Sequence, residues 1–380
     1  MRKQKDSINN LNLFFVMAAN IEMVNGIASF AENVKSGIAW HGLGQKVEGA
    51  MYVGDALKLS HADYQVKLQP IVALSDEVVS AIENNEFISA AMLRELLVEG
   101  KKATVRTDLN TALGITSDGY GLVQNEDAFK FVDMFCSGKN ADRDNTPVIE
   151  TCGVLGKGER VFVTAKFPQP IVLDAKRDDL IDMYVVFTTS HDGTGAVRCM
   201  CSPIRVVCNN TLSLAMTNNI GRISFRHSSN VMSRLDLLNK ENAEFAYKSL
   251  NVAEVYANGL KESLDHLRTI RLSEQVLDEI IADIALADDA KKVFLETKNI
   301  YHEDIATRGR NIFLGMKNAI EGGIGQDILD RGTALWAING ITTFYQNQAN
   351  FKNDEVKFDN LMEGNVYKKV NRAYSRLLAA

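Results

Sequence analysis

The first half of the chain carries short runs of β-branched and aromatic residues separated by residues typical of turns. Four runs follow one another directly, at 148–155, 160–167, 183–189 and 196–207. Runs of this length and composition predict β-strands, and their succession predicts an antiparallel meander. The turn residues between them, at 156–159 and 191–193, suit tight hairpin connections. Upstream, residues 114–123 predict another hairpin, pivoting on Asp118-Gly119, and residues 125–135 predict a helix.

The second half of the chain has a helical pattern. No proline follows Pro203, and apolar residues recur at steps of three, four or seven, which places them on one face of a helix. The predicted helices are a long one over 235–267 capped by Ser229 or Asn230, one after Ser273, and others over 305–320, 335–345 and 366–378. The predicted fold is therefore α+β: an antiparallel β-meander core with interspersed helices over 17–228, followed by a mostly α-helical portion over 229–380.

Composition narrows the class of protein. The 380 residues are 46% hydrophobic with a net charge of −6, which is typical of a soluble globular chain. Five cysteines, an odd number without a repeating framework, argue against a disulfide scaffold and for a reducing, cytoplasmic setting. The basic start and short apolar run at 11–19 do not make a convincing secretory leader, and no later apolar stretch is long enough to span a membrane.

One segment departs from the acidic average. Residues 193–235, called the cationic segment, contain no Asp or Glu and carry five arginines and five asparagines together with His227. Arginine binds phosphate and carboxylate in two-pronged fashion, so a surface of this kind predicts an anionic ligand. The arginines are Arg198, Arg205, Arg222, Arg226 and Arg234.

Three motifs give the chain a family resemblance. They are the run 40–44 (WHGLG), the run 189–194 (TSHDGT) and the run 203–212 (PIRVVCNNTL). Together they resemble the phage/plasmid-like family with a DUF932 domain, a domain of unknown function. The resemblance begins near Met17, so residues 1–16 are interpreted as a disordered N-terminal extension. It implies a protein of a bacteriophage or other mobile element and favours nucleic acid as the anion, but it supplies no catalytic assignment.

The junction after the fourth predicted strand is one candidate site. Asn209, Asn210 and Thr211 offer an N-cap for a helix through Met216, and free N–H groups at a helix start beside Arg205 would form a phosphate pocket. The alternative is that an asparagine merely caps the helix while Arg205 pairs with a carboxylate.

Residues 40–44 form a second candidate. Trp40 could stack on a base while His41 contacts phosphate, as aromatic residues do in single-strand binding. A tight loop anchored by a buried Trp40 is the structural alternative.

His191, Asp192 and Cys208 are the catalytic candidates. His191 beside Asp192 suits a general base or a metal ligand, while a turn in which Asp192 closes an Asx turn explains the same residues without chemistry. Cys208 could act as a nucleophile, but its apolar neighbours favour a packing role. Cys199 and Cys201 lack the usual zinc spacing, so we predict no metal and no cofactor.

A further cationic patch lies near the C-terminus. These residues, at helical spacing, could contact nucleic acid or cover the acidic stretch 278–289: Lys368, Lys369, Arg372 and Arg376. The default interpretation is a solvated amphipathic face, with Val370, Ala373 and Leu377 turned inward.

The preferred function is single-stranded DNA binding or annealing in recombination or replication, by a homo-oligomer of a phage-like element. In this hypothesis Arg198, Arg205, Arg222 and Arg226 neutralise successive phosphates, with help from Asn209, Asn210, His227, Trp40 and His41. Two alternatives remain open at this point: a virion or assembly protein, and an enzyme acting on nucleotides through His191 and Asp192.

Overall fold

The computed structural model describes residues 21–34, 44–49, 51–130, 132–137, 146–174, 176, 179–205, 210–211, 222–240, 255, 258–352, 356–357, 360–361 and 364–380. Its strands, in chain order, are β1 (Met23–Val24), β2 (Ile27–Ala28), β3 (Phe30–Asn33), β4 (Gln45–Val47), β5 (Val66–Val72), β6 (Leu97–Arg106), β7 (Thr111–Ser117), β8 (Val148–Leu155), β9 (Arg160–Lys166), β10 (Ile171–Asp174), β11 (Asp179–Ser190), β12 (Ala196–Arg205), β13 (Asn210–Thr211) and β14 (Arg222–Arg226).

The helices, in chain order, are α1 (Val53–Leu59), α2 (Asp76–Glu83), α3 (Ala90–Glu95), α4 (Asn125–Phe129), α5 (Val132–Ser137), α6 (Val231–Lys240), α7 (258–269), α8 (Glu274–Ala285), α9 (Asp288–Thr297), α10 (Thr307–Gly322), α11 (Ala334–Thr343) and α12 (Asn365–Leu378). A π-helical turn, Phe344–Gln348, follows α11 directly.

The main sheet has nine strands in the order β13-β12-β11-β9-β8-β3-β4, with β10 also paired to β11 and β14 also paired to β12. Its centre is the predicted meander: β8, β9, β11 and β12 each pair antiparallel with the next. Along β9, Val161, Val163 and Ala165 alternate inward and are buried, which is the period-2 pattern on which the prediction depended. The α+β fold class is confirmed.

The predicted helix start at 209–211 is wrong for the two residues there that the structure describes. Asn210 and Thr211 form β13, whose backbone pairs with Arg205 and Ile204 of β12. Backbone groups committed to strand pairing cannot also open a helix. Asn209 and residues 212–221 lie outside the described residues.

A second, three-stranded sheet has the order β5-β6-β7. The hairpin turn joining β6 to β7 lies at 107–110, so the hairpin predicted to pivot on Asp118-Gly119 is wrong. The sequence pattern did not predict the β6–β7 hairpin, because the first half of β6 is exposed and its apolar residues do not alternate with polar ones. Asp118 and Gly119 instead form a turn that carries Tyr120 to an antiparallel bridge with Ser228 of the cationic segment.

The predicted helices after Ser273 and over 305–320, 335–345 and 366–378 are confirmed, with small shifts at their ends. Ser273 caps α8 by accepting a hydrogen bond from the Val276 N–H, and Thr333 caps α11 in the same way. Both ends of the predicted long helix are helical, as α6 and α7, while residues 241–254 and 256–257 between them lie outside the described part of the chain. The predicted helix over 125–135 is observed as α4 and α5.

Two large hydrophobic cores hold most of these elements together, and a small third one joins Ile21, Ala28, Phe30 and Leu155. In one, the inward face of β8, β9, β11 and β12 packs against α1, α4 and α6, with Leu57, Phe129 and Phe187 near its centre. In the other, α7 to α12 pack on one another and on Leu173 and Ile181 of β10 and β11. None of the helices in the described ranges combines the length and apolar character that a bilayer crossing requires.

Candidate anion-binding site

A cavity of about 590 Å³ lies where one end of the main sheet meets the edge of the second sheet. Three segments form its walls. They are the end of β7 with Tyr120 after it, the turn between β11 and β12, and the paired strands β12 and β14 with His227, which follows β14. The lining residues are Ile115, Thr116, Ser117, Tyr120, Gly193, Thr194, Gly195, Ala196, Arg198, Ser224, Arg226 and His227.

Strand register brings two of the predicted arginines together in this cavity. β12 and β14 pair antiparallel, so that Arg198 lies opposite Ser224 and Ala196 lies opposite Arg226. Residues directly opposite share a face of the sheet, which makes Arg198 and Arg226 diagonal neighbours about 7–8 Å apart along the backbone, with their Cβ atoms somewhat closer. Two long guanidinium side chains at that spacing can reach one phosphate or two consecutive ones.

The electrostatic character of the cavity is cationic. Among the described residues that line it, none is Asp or Glu. Arg226 is exposed and forms no ion pair with any residue the structure describes, whereas Arg198 is half-buried. The charge of Arg226 is therefore available to a ligand from solution.

His227 lies at the inner end of the cavity against Tyr120. The two rings stack with centroids 4.8 Å apart and planes 10° apart, and His227 Nδ1 lies 3.1 Å from the Gly121 carbonyl oxygen. Since a carbonyl only accepts, Nδ1 carries the proton of the neutral ring. Burial, together with the Arg198 guanidinium, lowers the pKa of His227 although the Gly121 hydrogen bond opposes it. Its Nε2 is buried and has no hydrogen-bond partner among the described residues.

The turn between β11 and β12 has the Asx geometry that the sequence predicted. The Asp192 carboxylate accepts hydrogen bonds from the Thr194 N–H at 2.9 Å and from the hydroxyls of Ser190 and Thr194. Although burial opposes it, these hydrogen bonds lower the pKa of Asp192, which stays ionised. Gly193 adopts φ 81°, a left-handed conformation that favours glycine. Asp192 thus shapes the turn through hydrogen bonds that converge on its Oδ1, with the Thr194 hydroxyl also 2.7 Å from its Oδ2.

His191 lies behind this turn and outside the cavity lining. It is fully buried, and its Nε2 lies 2.7 Å from Asn125 Oδ1. Asn125 donates through Nδ2 to the Ala62 carbonyl at 2.8 Å, which fixes the amide orientation and makes His191 Nε2–H the donor. Burial lowers the pKa of His191 to about 3, so the ring is neutral near pH 7.

The other predicted site residues that the structure describes do not line the cavity. Arg205 lies at the opposite end of β12, seven residues and about 23 Å of strand from Arg198. Arg222 begins β14 and pairs with Met200. Trp40, His41, Cys208 and Asn209 lie outside the described residues, and Asn210 belongs to β13.

The two cysteines weighed as zinc ligands are packing residues. Cys199 is buried in the core beneath the main sheet, and burial raises its thiol pKa well above the ordinary value. Burial likewise raises the pKa of Cys201 to about 12. Across the described ranges, no group of three or more His, Cys, Asp or Glu side chains is arranged to hold a metal.

Sequence reasoning missed the wall supplied by β7 and Tyr120. β7 reaches the turn because Gly114 has no Cβ: one built there would lie 2.5 Å from Asp192 Cα. A glycine inside a strand is a signal of such close backbone approach, but it does not say which segment approaches.

Comparison with known proteins places the chain in a family. The family described as Domain of unknown function (DUF932) matches residues 112–366, about two thirds of the chain, and this span includes all the cavity-lining segments. Neither curated proteins nor solved structures give a match. On the strength of that span, the chain belongs to the DUF932 family.

Proposed function

We propose that this protein binds single-stranded nucleic acid, with DNA as the preferred form, and serves recombination or annealing in a phage or plasmid setting. The observation that carries the proposal is the cavity wall on which Arg198 and Arg226 are diagonal neighbours, in a lining that includes no acidic residue among those described. Phosphate is the anion that such paired guanidinium groups recognise best in two-pronged fashion.

The dimensions of the cavity support an unpaired strand over a duplex. A volume of about 590 Å³ suits a ligand the size of one nucleotide unit. A duplex keeps its bases paired and stacked, so it can present only outer phosphates to the rim. An unpaired strand can insert a nucleotide and place its phosphates on both arginines. The phage or plasmid setting is supported by the sequence motifs alone.

The geometry gives less support to an enzyme acting through His191 and Asp192. The His191 ring is buried and donates to Asn125, and the Asp192 carboxylate is engaged by Ser190 and Thr194 in shaping the turn. Neither residue is among those that line the cavity.

A salt-titrated binding assay tests the proposal. The full chain is titrated onto labelled single-stranded DNA, duplex DNA and RNA of equal length at several salt concentrations. We expect tightest binding to the single strand and a linear fall of log affinity with log salt, with a slope of about 0.7 per phosphate contacted. A flat salt dependence, or equal affinity for a neutral polymer, would falsify the proposal.

Variants assign the binding to the cavity. Arg226→Ala should reduce the salt slope by about 0.7, while Arg226→Lys should keep it because the charge remains. Arg308 is a matched control, since it is an exposed arginine on α10 outside the cavity. Arg308→Ala should bind as the wild type does, and a loss equal to that of Arg226→Ala would place the site elsewhere.

A further inference from the structure

A projection on the second sheet carries charge opposite to that of the cavity. Residues 73–99, called the acidic arm, leave the sheet after β5, form α2 and α3, and return through the start of β6. The arm contains six acidic residues and a single cation, Arg94, and all seven are exposed. Val78 is its one buried residue. The arm is therefore an anionic surface on the same molecule as a cationic cavity.

The arm also exposes large apolar side chains. Phe87, between α2 and α3, is 93% exposed, and Leu74 and Ile82 are 63% and 53% exposed. Val79 joins Ile82 on one face of α2, three residues away, and is also exposed. Scattered apolar residues are ordinary on protein surfaces, but a cluster on one projection marks a contact surface. The surface that covers it must offer both cations and an apolar contact.

The cavity rim offers that combination. Arg226 and Arg198 supply positive charge, and Ile115, which is 66% exposed, supplies an apolar side chain at the same rim. On α12, Arg372 already lies 3.9 Å from the Asp283 carboxylate of α8, and Arg376 interacts with Glu279. Charge complementarity therefore favours the cavity over α12.

We propose that the acidic arm of one copy docks at the cationic cavity of a second copy. Glu83 and Glu86 precede Phe87 by four residues and one residue, so they can pair with the guanidinium groups while the ring contacts Ile115. The arm and the cavity are different surfaces, so the contact is head-to-tail and propagates into a ring or a filament. The proposal goes beyond nucleic-acid binding and requires only that the cavity be cationic.

Sedimentation equilibrium of the full chain, at about 1–100 µM where weak interfaces associate, tests the self-association. Phe87→Ser should weaken it by about 10- to 100-fold, because a central aromatic carries much of the energy of an interface. Tyr301→Ser removes another aromatic that is 63% exposed and should leave self-association unchanged. A wild-type chain that stays monomeric over this range overturns the proposal and leaves the arm to a different protein.

Charge reversal separates this contact from other modes of assembly. Glu83→Arg with Glu86→Arg should abolish self-association, and Arg198→Glu with Arg226→Glu should do the same. All four changes in one chain restore opposite charges across a head-to-tail contact, so association should return to within about tenfold of wild type. Failure of the quadruple variant to associate, while it remains folded by circular dichroism, overturns the docking.

Nucleic-acid binding has its own readout, which keeps the two proposals apart. At protein concentrations low enough for a monomer, Phe87→Ser should bind single-stranded DNA as tightly as the wild type. Loss of self-association with DNA binding intact would support the docking proposal. DNA binding that fails in the wild type would count against the proposed function alone.

Discussion

Arg106 and Arg226 each lie at the end of a strand, yet their surroundings differ completely. Arg106 ends β6 and is buried: Nε and Nη2 donate to the two oxygens of Asp108 at 2.7 and 2.9 Å, and Nη1 donates to Glu22 at 2.5 Å. Its guanidinium carbon also lies 3.8 Å from the centre of the Tyr64 ring. Arg226 ends β14, is exposed, and lines a cavity whose described residues include no carboxylate.

The comparison shows what decides the use of an arginine in this fold. At the Arg106 junction the chain supplies its own carboxylates, so the charge holds the second sheet to the N-terminal segment. At the cavity the cationic segment supplies none, so the charge remains for a ligand or a second copy. Arginine content alone does not separate these cases, but the position of the acidic residues does.

The largest effect is expected from removing the buried charge. Arg106→Met should lower the free energy of unfolding by about 3–5 kcal/mol, because the buried Glu22 carboxylate is left without its partner. Urea denaturation measures the change. Arg94→Met, an exposed arginine on α3, is the matched control and should stay within about 0.5 kcal/mol of the wild type. A loss below about 1 kcal/mol for Arg106→Met would show that the junction is not a structural centre.

A second buried residue, His191, should make the free energy of unfolding depend on pH. The pKa of His191 is about 3 in the folded protein, below the 6.5 of an ordinary histidine, because of burial and the neighbouring His227. Below pH 6.5 the unfolded chain therefore binds a proton that the folded chain does not. Stability is lost as the pH falls from 6.5 towards 3, by about 1.4 kcal/mol per pH unit for this group.

His191→Gln removes this titration and retains a donor for Asn125. Unfolding free energies measured between pH 7 and pH 4 should therefore fall less steeply in the variant than in the wild type. The matched control is His266→Gln, since His266 is exposed on α7 and its removal should keep the wild-type slope. Parallel profiles for wild type and His191→Gln would contradict the burial of this ring.

The regular helices and strands could be predicted from the sequence, whereas the cavity could not. The helices and the meander were predictable because each has a local period of apolar residues, as Leu277, Ile280 and Ile281 show on α8. The cavity was not, because it depends on the register of β12 with β14 and on the approach of β7 through Gly114. Those pairings join residues far apart in sequence, and no local pattern encodes them. The cationic segment was visible in the sequence, but the convergence of Arg198 with Arg226 and the distance to Arg205 were not.

An intermediate effect is expected from placing an acid on the cavity wall. Ser224 is exposed, lies opposite Arg198 and is two residues from Arg226, so Ser224→Glu would supply the carboxylate that the wall lacks. Affinity for single-stranded DNA should fall about tenfold at low salt, because the new charge competes with phosphate. Ser224→Gln has a similar size without charge and should bind within about twofold of the wild type. Equal losses in both variants would indicate a steric effect and break the electrostatic comparison.

The smallest effect is expected at the third cationic region, the last helix. Val370, Ala373 and Leu377 of α12 are buried as the periodicity predicted, while Arg372 faces α8 with Nε 3.9 Å from an Asp283 oxygen. The Arg372 side chain is 61% exposed, and exposed ion pairs at such distances contribute about 0–1 kcal/mol.

Arg372→Ala should therefore lower the unfolding free energy by no more than about 0.5 kcal/mol and should leave DNA affinity and its salt slope at wild-type values. Its charge is not buried enough to stabilise the fold as Arg106 does, and unlike Arg226 it has an ion-pair partner among the described residues. If Arg372→Ala reduced the salt slope by as much as Arg226→Ala, nearby carboxylates would no longer decide which arginines are available to an anion, and nucleic acid would have to extend over α12 as well as the cavity.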